Sequence, residues 1–286
     1  MNIDKAVKIV IVGAKGMLGQ ELARVFASGT LFLLDKDEID IADKALVQKK
    51  ITELQPSIVI NAAAYNNVDA AETDTEIAER INGRGVGYLA AAAESVGAVF
   101  VHYSTDYVFD GKKKRGYKET DVPSPISAYG VSKLLGETLT QKESTKSYII
   151  RLSRLFGSTG VSQQAKESFV DKMVQASKEH ATLTVIDEEL SCPTYASDLA
   201  GATKDIVEKS LPFGIYHVTN EGACTWYGFA TEIFRQIGWS GKLIPVPANT
   251  YPRPAKRPSF SKLVNTKLQP LRPWQEALAD YLHIRP

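Results

Sequence analysis

Two short stretches carry side chains whose spacing could do proton chemistry. SAYGVSKLLGE sets Tyr129 and Lys133 four residues apart, neighbours on one face if the segment is helical. HYSTDYVFDG, residues 102–111, ends the apolar run AVFV with Ser104, Thr105 and Asp106 together, where a turn would call for Gly, Asn or Pro. A phenol titrates near pH ~10 and is a poor proton donor or acceptor near neutrality unless tuned. The Lys133 ammonium and a positive nicotinamide ring would each favour phenolate and lower that pKa. Lys133 could also hold ribose hydroxyls. Thr105 could hydrogen-bond a carbonyl oxygen, so that hydride and proton reach adjoining atoms. In a chain with 12 Tyr the spacing alone could mark a surface pair, and Ser104 and Thr105 could simply cap local backbone.

The partners for such chemistry begin at KIVIVGAKGMLGQEL, which spaces Gly13, Gly16 and Gly19 three apart, with Met17 and Leu18 between the last two. A strand–glycine loop–helix context lets backbone approach a pyrophosphate, and the helix N-terminus adds partial positive charge. Asp35 lies sixteen residues past Gly19, where a carboxylate would bind adenosine ribose hydroxyls. Lys15 and Lys36 could instead meet a 2′-phosphate. The carboxylate argues for NADH and the lysines for NADPH, so either cofactor is expected. The GxxGxxG spacing points to the short-chain dehydrogenase type of dinucleotide domain.

The elements that must position these residues are legible as an alternation. β-branched runs at 7–12, 31–35, 56–64, 98–105 and 147–153 are separated by helical stretches at 17–26, 43–54, about 74–95 and 129–140. Strands apolar on both faces with intervening helices predict an α/β fold, a doubly wound parallel sheet of Rossmann type. Ligands of such sheets sit beyond the carboxyl ends of the strands, which places the polar triplet of HYSTDYVFDG beside a reacting carbonyl.

Past about residue 155 short strands, TLTVID and GIYHVTN, mix with helices around 165–179, 197–209 and 226–238. The division read here is 1–155 for the dinucleotide and 156–286 as mainly a substrate lobe, some of whose elements return to the main sheet. The proline-rich segment 245–258 reads as a wrapped connection.

The 286 residues are 44% hydrophobic and 23% charged, with a formal net charge of +1. That balance describes an ordinary globular protein and gives no electrostatic reason to expect nucleic acid or an anionic membrane. Cys192 and Cys224 match no metal-ligand spacing, the four His are scattered, and no metal site is expected. With no signal-like start and no apolar run long enough for a bilayer, a cytoplasmic location is expected.

The residues quoted above, with PSIVINAAAYNNVDAAE, YKETDVPSPISAYGVSKLLGE, CPT at 192–194 and RPSFSKLVNTKL at 257–268, resemble an extended short-chain dehydrogenase/reductase of the dTDP-4-dehydrorhamnose reductase family. The resemblance covers nearly the whole chain. It implies NADPH- or NADH-dependent reduction of a nucleotide-linked 4-keto-6-deoxy sugar, with Tyr129 as proton donor and Lys133 as cofactor-ribose partner. Thr105 would polarise the keto oxygen, and Asp106 would bind a sugar hydroxyl. Tyr103, Ala63, Ala64 and Tyr65 would lie against the cofactor, and Asp40 and Ile41 would contact adenine. Sugar-nucleotide dehydratases of similar architecture carry Asp-Glu after the threonine, whereas here Thr105-Asp106 is followed by Tyr107, which favours simple reduction.

The departures fall on the substrate side. RLSRLFG has Arg154 where the family has Trp, and EELSCPT has Glu189 and Ser191 at usual Gln and Gly positions. Arg154 is expected to meet the substrate diphosphate or to pair with Glu189. A homodimer is the assembly left open, and no carboxylates can be assigned to a subunit-contact metal. A non-catalytic dinucleotide-binding subunit, like the β subunit of methionine adenosyltransferase, is the alternative from another class; an epimerase is a third. His102 reads as a packed or surface-edge histidine rather than a base, and Trp226 either lines the lobe or, more often for such a residue, is core at a helix start.

Overall fold

In the structure, a computed structural model that describes residues 2–162, 165 and 167–284, the apolar runs form the centre of a parallel sheet. In chain order its first elements are β1 (Lys8–Val12), α1 (Met17–Val25), β2 (Thr30–Leu34), α2 (Lys44–Leu54) and β3 (Ile58–Asn61). Next α3 (Thr75–Glu79) runs through a π-helical stretch, Arg80–Gly85, into α4 (Val86–Ser95), followed by β4 (Val99–Thr105), α5 (Ala128–Glu143) and β5 (Ser147–Leu152). β3, β4 and β5 bury residues of both faces, as strands covered by helices on two sides must.

The later half supplies β6 (Leu155–Phe156), α6 (Phe169–Glu179), β7 (Thr182–Ile186), β8 (Thr194–Tyr195), α7 (Ala196–Glu208), β9 (Gly214–His217), α8 (Trp226–Ile237), β10 (Lys242–Val246) and α9 (Trp274–Ile284). Residue 166, inside the helix expected around 165–179, lies outside the described residues. β9 returns to the main sheet, whose order is β2-β1-β3-β4-β5-β9 with every pairing parallel, and α7 packs on α1. One apolar layer under α1 and α7 holds Leu18, Leu22, Leu199 and Ile206, and the opposite layer holds Val47, Ile51, Leu89 and Phe100. A third cluster, centred on Phe156, Phe229 and Trp274, is the core of the smaller lobe.

Two readings need correction. Pro245 and Val246 belong to β10 rather than to a connection, pairing with β7 in a two-stranded sheet. Proline is tolerated there because a strand with a neighbour on one side only has amides to spare. The C-terminal helix α9, which buries Trp274, Ala277, Leu278 and Tyr281, was also not anticipated. Among the described residues no helix is long and apolar enough to cross a membrane.

Candidate functional site

A cavity of about 420 Å³ opens at the carboxyl ends of the central strands. It gathers Gly16, Met17, Leu18 and Gly19 from the glycine loop, Ala63 and Ala64 beyond β3, and Tyr103, Thr105 and Asp106 at the end of β4. Tyr129 and Lys133 enter from α5, and Arg154 from beyond β5. Besides Gly13, five predicted cofactor residues stand outside this lining. Lys15 turns its ammonium to Asp37 and Glu38, at 3.0 and 3.6 Å, and Asp40 is exposed. Ile41 is buried. Asp35, at the end of β2, accepts the Lys15 and Lys36 amides at 3.0 and 2.8 Å. Tyr65 donates its hydroxyl to Asp74 at 3.1 Å, so its side chain is engaged away from the cavity.

The loop backbone has the shape a dinucleotide requires. Gly13 also stands outside the lining and forms the floor of the turn at φ +79°, and a β-carbon there would come within 2.6 Å of the Ala63 amide nitrogen. Only glycine fits both the torsion and the space. Behind it, Asn61 accepts from the Ala63 amide at 3.1 Å, while Asn82 bonds both the amide and the carbonyl of Tyr65 at 2.8 and 3.0 Å. These two asparagines, which sequence reasoning missed, fix the Ala62–Tyr65 segment. An Asn closing the apolar strand IVIN was the available signal.

Ser127 caps α5 by accepting from the Gly130 amide at 3.2 Å. Gly130 lies so close to the Tyr107 carbonyl that a β-carbon would approach to 2.3 Å, which seats Tyr129 against the end of β4. The Tyr129 hydroxyl lies beside the Thr105 side chain, and its ring meets Tyr107 edge-on at 5.6 Å. Lys133, buried, donates to the Tyr103 carbonyl at 2.6 Å.

The electrostatics differ from expectation at Tyr129. Its pKa is raised well above the usual phenol range, first by burial and then by the Asp106 charge, with the nearby Thr105 hydroxyl opposing. Lys133 does not offset this, because burial lowers its own pKa and it has lost its charge before so high a phenol ionises. Burial pushes Lys133 down to about 8 against the opposing charge of Glu137. A raised phenol stays protonated near neutrality, which is the form that can give up a proton. Burial also lifts Asp106 to about 6, although Ser261 donates to it at 2.5 Å and Thr105 at 3.1 Å.

The wall opposite the glycine loop is charged. Arg154, at φ +43°, donates to the carbonyls of Cys224, at 2.8 Å, and Glu189, and its guanidinium lies 4.0 Å from the ring centre of Trp226. The expected pairing with the Glu189 carboxylate is not made. That group receives Arg253 and the Trp226 indole N–H instead, because α8 and the segment after β10 reach it first. Trp226 lines the cavity and, partly buried, also packs against the core of the smaller lobe. Ser191, also in the lining, is held through its backbone to Cys224. Ser261 was missed, although it lies inside the quoted RPSFSKL. His102 is fully buried and stacked on Phe100, and burial depresses its pKa well below the usual value. Among the described residues no group of three or more His, Cys, Asp or Glu is gathered as a metal site.

Comparison with known proteins places this geometry among relatives. The family model described as RmlD substrate binding domain matches residues 7–285. The dTDP-4-dehydrorhamnose reductase of Burkholderia thailandensis is 37% identical, with 92% of each chain covered. A crystal structure of a Clostridium acetobutylicum dTDP-4-dehydrorhamnose reductase superposes with a TM-score of 0.92 at 38% identity, covering 97% of this chain and 99% of that one. The Bacillus anthracis dTDP-4-dehydrorhamnose reductase, solved in complex with NADP, has a TM-score of 0.92 at 33% identity and the same coverage.

Proposed function

The chain belongs to the RmlD substrate binding domain family, that of the dTDP-4-dehydrorhamnose reductases, and on that premise we propose that it is an NAD(P)H-dependent reductase of a nucleotide-linked 4-keto-6-deoxy sugar. The observation that carries the reading is the convergence of Tyr129, Thr105 and Lys133 on one cavity beside the glycine loop. When bound, the reduced dinucleotide supplies a hydride to the carbonyl carbon. Tyr129 gives the proton to the carbonyl oxygen, so that a ketone becomes a secondary alcohol. Thr105 holds that oxygen while it gains negative charge, and Lys133 holds the ribose hydroxyls. Gly13, Gly16 and Gly19, with the amides of α1's first turn, suit the pyrophosphate, and Asp35 suits the adenosine ribose. Asp106 and Arg154 face the sugar nucleotide.

Tyr107 follows Thr105-Asp106 and lines the same cavity. A phenol there in place of a second carboxylate supports reduction over water elimination. The test is to offer the purified protein dTDP-4-keto-6-deoxy sugars with NADPH and with NADH, following the nicotinamide absorbance. Oxidation of cofactor in step with loss of the keto sugar is expected. Dinucleotide binding with silence toward every keto sugar nucleotide would overturn the reading in favour of a non-catalytic subunit.

A further inference from the structure

Beneath the cavity runs a chain of buried polar groups that the reaction does not touch. Glu137 lies one turn past Lys133 on α5 and two turns past Tyr129. Its carboxylate receives Ser104 Oγ at 2.5 Å, Arg151 Nε at 2.8 Å and an Arg151 terminal nitrogen at 2.6 Å. Ser104 and Arg151 are register partners on β4 and β5, and Ser104 immediately precedes Thr105. Glu137 is 2% exposed and Arg151 1% exposed. Beyond them Arg151 reaches His217 of β9 at 3.4 Å and stacks over Phe109 at 5.0 Å.

Such a pair is a poor device for stability alone, because two desolvated charges seldom outdo apolar side chains of the same volume. Its bidentate geometry does something apolar packing cannot: it fixes a helix to two strands in one register. We propose that the Glu137–Arg151 pair is a positioning element, clamping the helix that bears Tyr129 and Lys133 to the strand end that bears Thr105, with its carboxylate one turn from the Lys133 ammonium. The roles given to those three residues rest on the reductase reading. The groups that face Lys133 are Tyr129 and Glu137 on its own helix, and His102 and the Tyr103 carbonyl on β4. Of these, Glu137 is the one that opposes the downward pull of burial on Lys133.

The test compares the full-length protein with Glu137→Gln and with the charge-neutral double variant Glu137→Gln/Arg151→Met. Three readouts are taken: thermal midpoint, the pH profile of kcat, and NMR titration of ¹³C-labelled lysine, with Lys133 assigned by Lys133→Arg. The single variant leaves Arg151 unpaired and is expected to lose thermal stability, and the double variant to regain it. In the double variant kcat should stay down by about tenfold or more, with KM for the sugar nucleotide little changed. The Lys133 titration should fall by about one pH unit, taking the alkaline limb of kcat with it. Recovery of wild-type kcat and Lys133 titration in the double variant would overturn the proposal, leaving a purely structural pair. So would failure of both variants to fold. A shifted Lys133 titration in a protein with no turnover would count against the reductase reading and leave the electrostatic half of this one standing.

Discussion

On the glycine-loop side of the cleft the surface is largely main chain and small residues: Gly16, Gly19, Ala62, Ala63 and Ala64, drawn from two short stretches. On the opposite side it is side chains, Asp106, Arg154, Glu189, Trp226 and Ser261, brought from five places along the chain. A wall of backbone is set by torsion and close approach, so it accepts many neighbours but no added β-carbon at its tightest points. A wall of charged side chains can be rewritten one residue at a time. The departures from the family pattern, at Arg154, Glu189 and Ser191, all lie there. The proposed chemistry sits at the seam, where Tyr129 and Thr105 meet.

The seam should be the most sensitive point. Tyr129→Phe removes the proton and one hydroxyl while keeping the ring, so kcat should fall by at least about a hundredfold. Dinucleotide affinity and thermal midpoint should stay near wild type. A variant with full turnover would remove Tyr129 from its role.

Gly13→Ala attacks the backbone wall. The added methyl group meets the Ala63 amide in a torsion that L residues rarely adopt, a cost of about 2 kcal/mol or more. Calorimetric titration should show dinucleotide binding weakened by about tenfold or more, matching roughly 1.4 kcal/mol of lost binding. An unchanged affinity would break the contrast between the two walls.

Asp106 tests the charged wall through pH. Its folded pKa of about 6 lies above the ordinary value of 3.8, so the native state holds the proton more tightly than the unfolded chain. That contribution is fully present below the ordinary value and is lost as pH rises through about 6. Asp106→Asn cannot ionise. Its stability relative to wild type should therefore improve between about pH 4 and pH 7, by on the order of 2 kcal/mol, while kcat/KM falls. Denaturant unfolding at both pH values reads the difference directly, and a pH-independent offset would contradict it.

Arg154→Leu should have the smallest effect. KM for the sugar nucleotide should rise by about tenfold while kcat changes by less than about threefold, the pattern of lost ground-state binding. A collapse of kcat with KM unchanged would move Arg154 from the wall to the seam.

What could be read from the sequence follows the same division. Gly13, Gly16 and Gly19, or Tyr129 and Lys133, are local patterns whose geometry is fixed by the turn or helix that carries them. The alternation of apolar strands and helices was likewise enough to place the polar end of β4 at the rim of a parallel sheet. The charged wall was legible only as residue types. Arg154 meets Trp226 and the carbonyl of Cys224, some seventy residues on, and no spacing rule reports which partner packing will choose. The same limit explains the pKa of Tyr129. Sequence places Lys133 one turn away, but the burial of both side chains is a property of the folded core. Pro245 argued against a strand because its lost amide matters only if a neighbour needs it, and β10 has a free edge.

The central claim, that this cleft reduces a sugar carbonyl, is tested most directly by isotope. Cofactor carrying deuterium at the transferable position of its nicotinamide would be incubated with the protein and a dTDP-4-keto-6-deoxy sugar, and the product examined by NMR. Deuterium bound to carbon 4 of the sugar, one atom for each cofactor oxidised, is the predicted result. A product without the label, or a sugar altered elsewhere while the cofactor returns unoxidised, would contradict it.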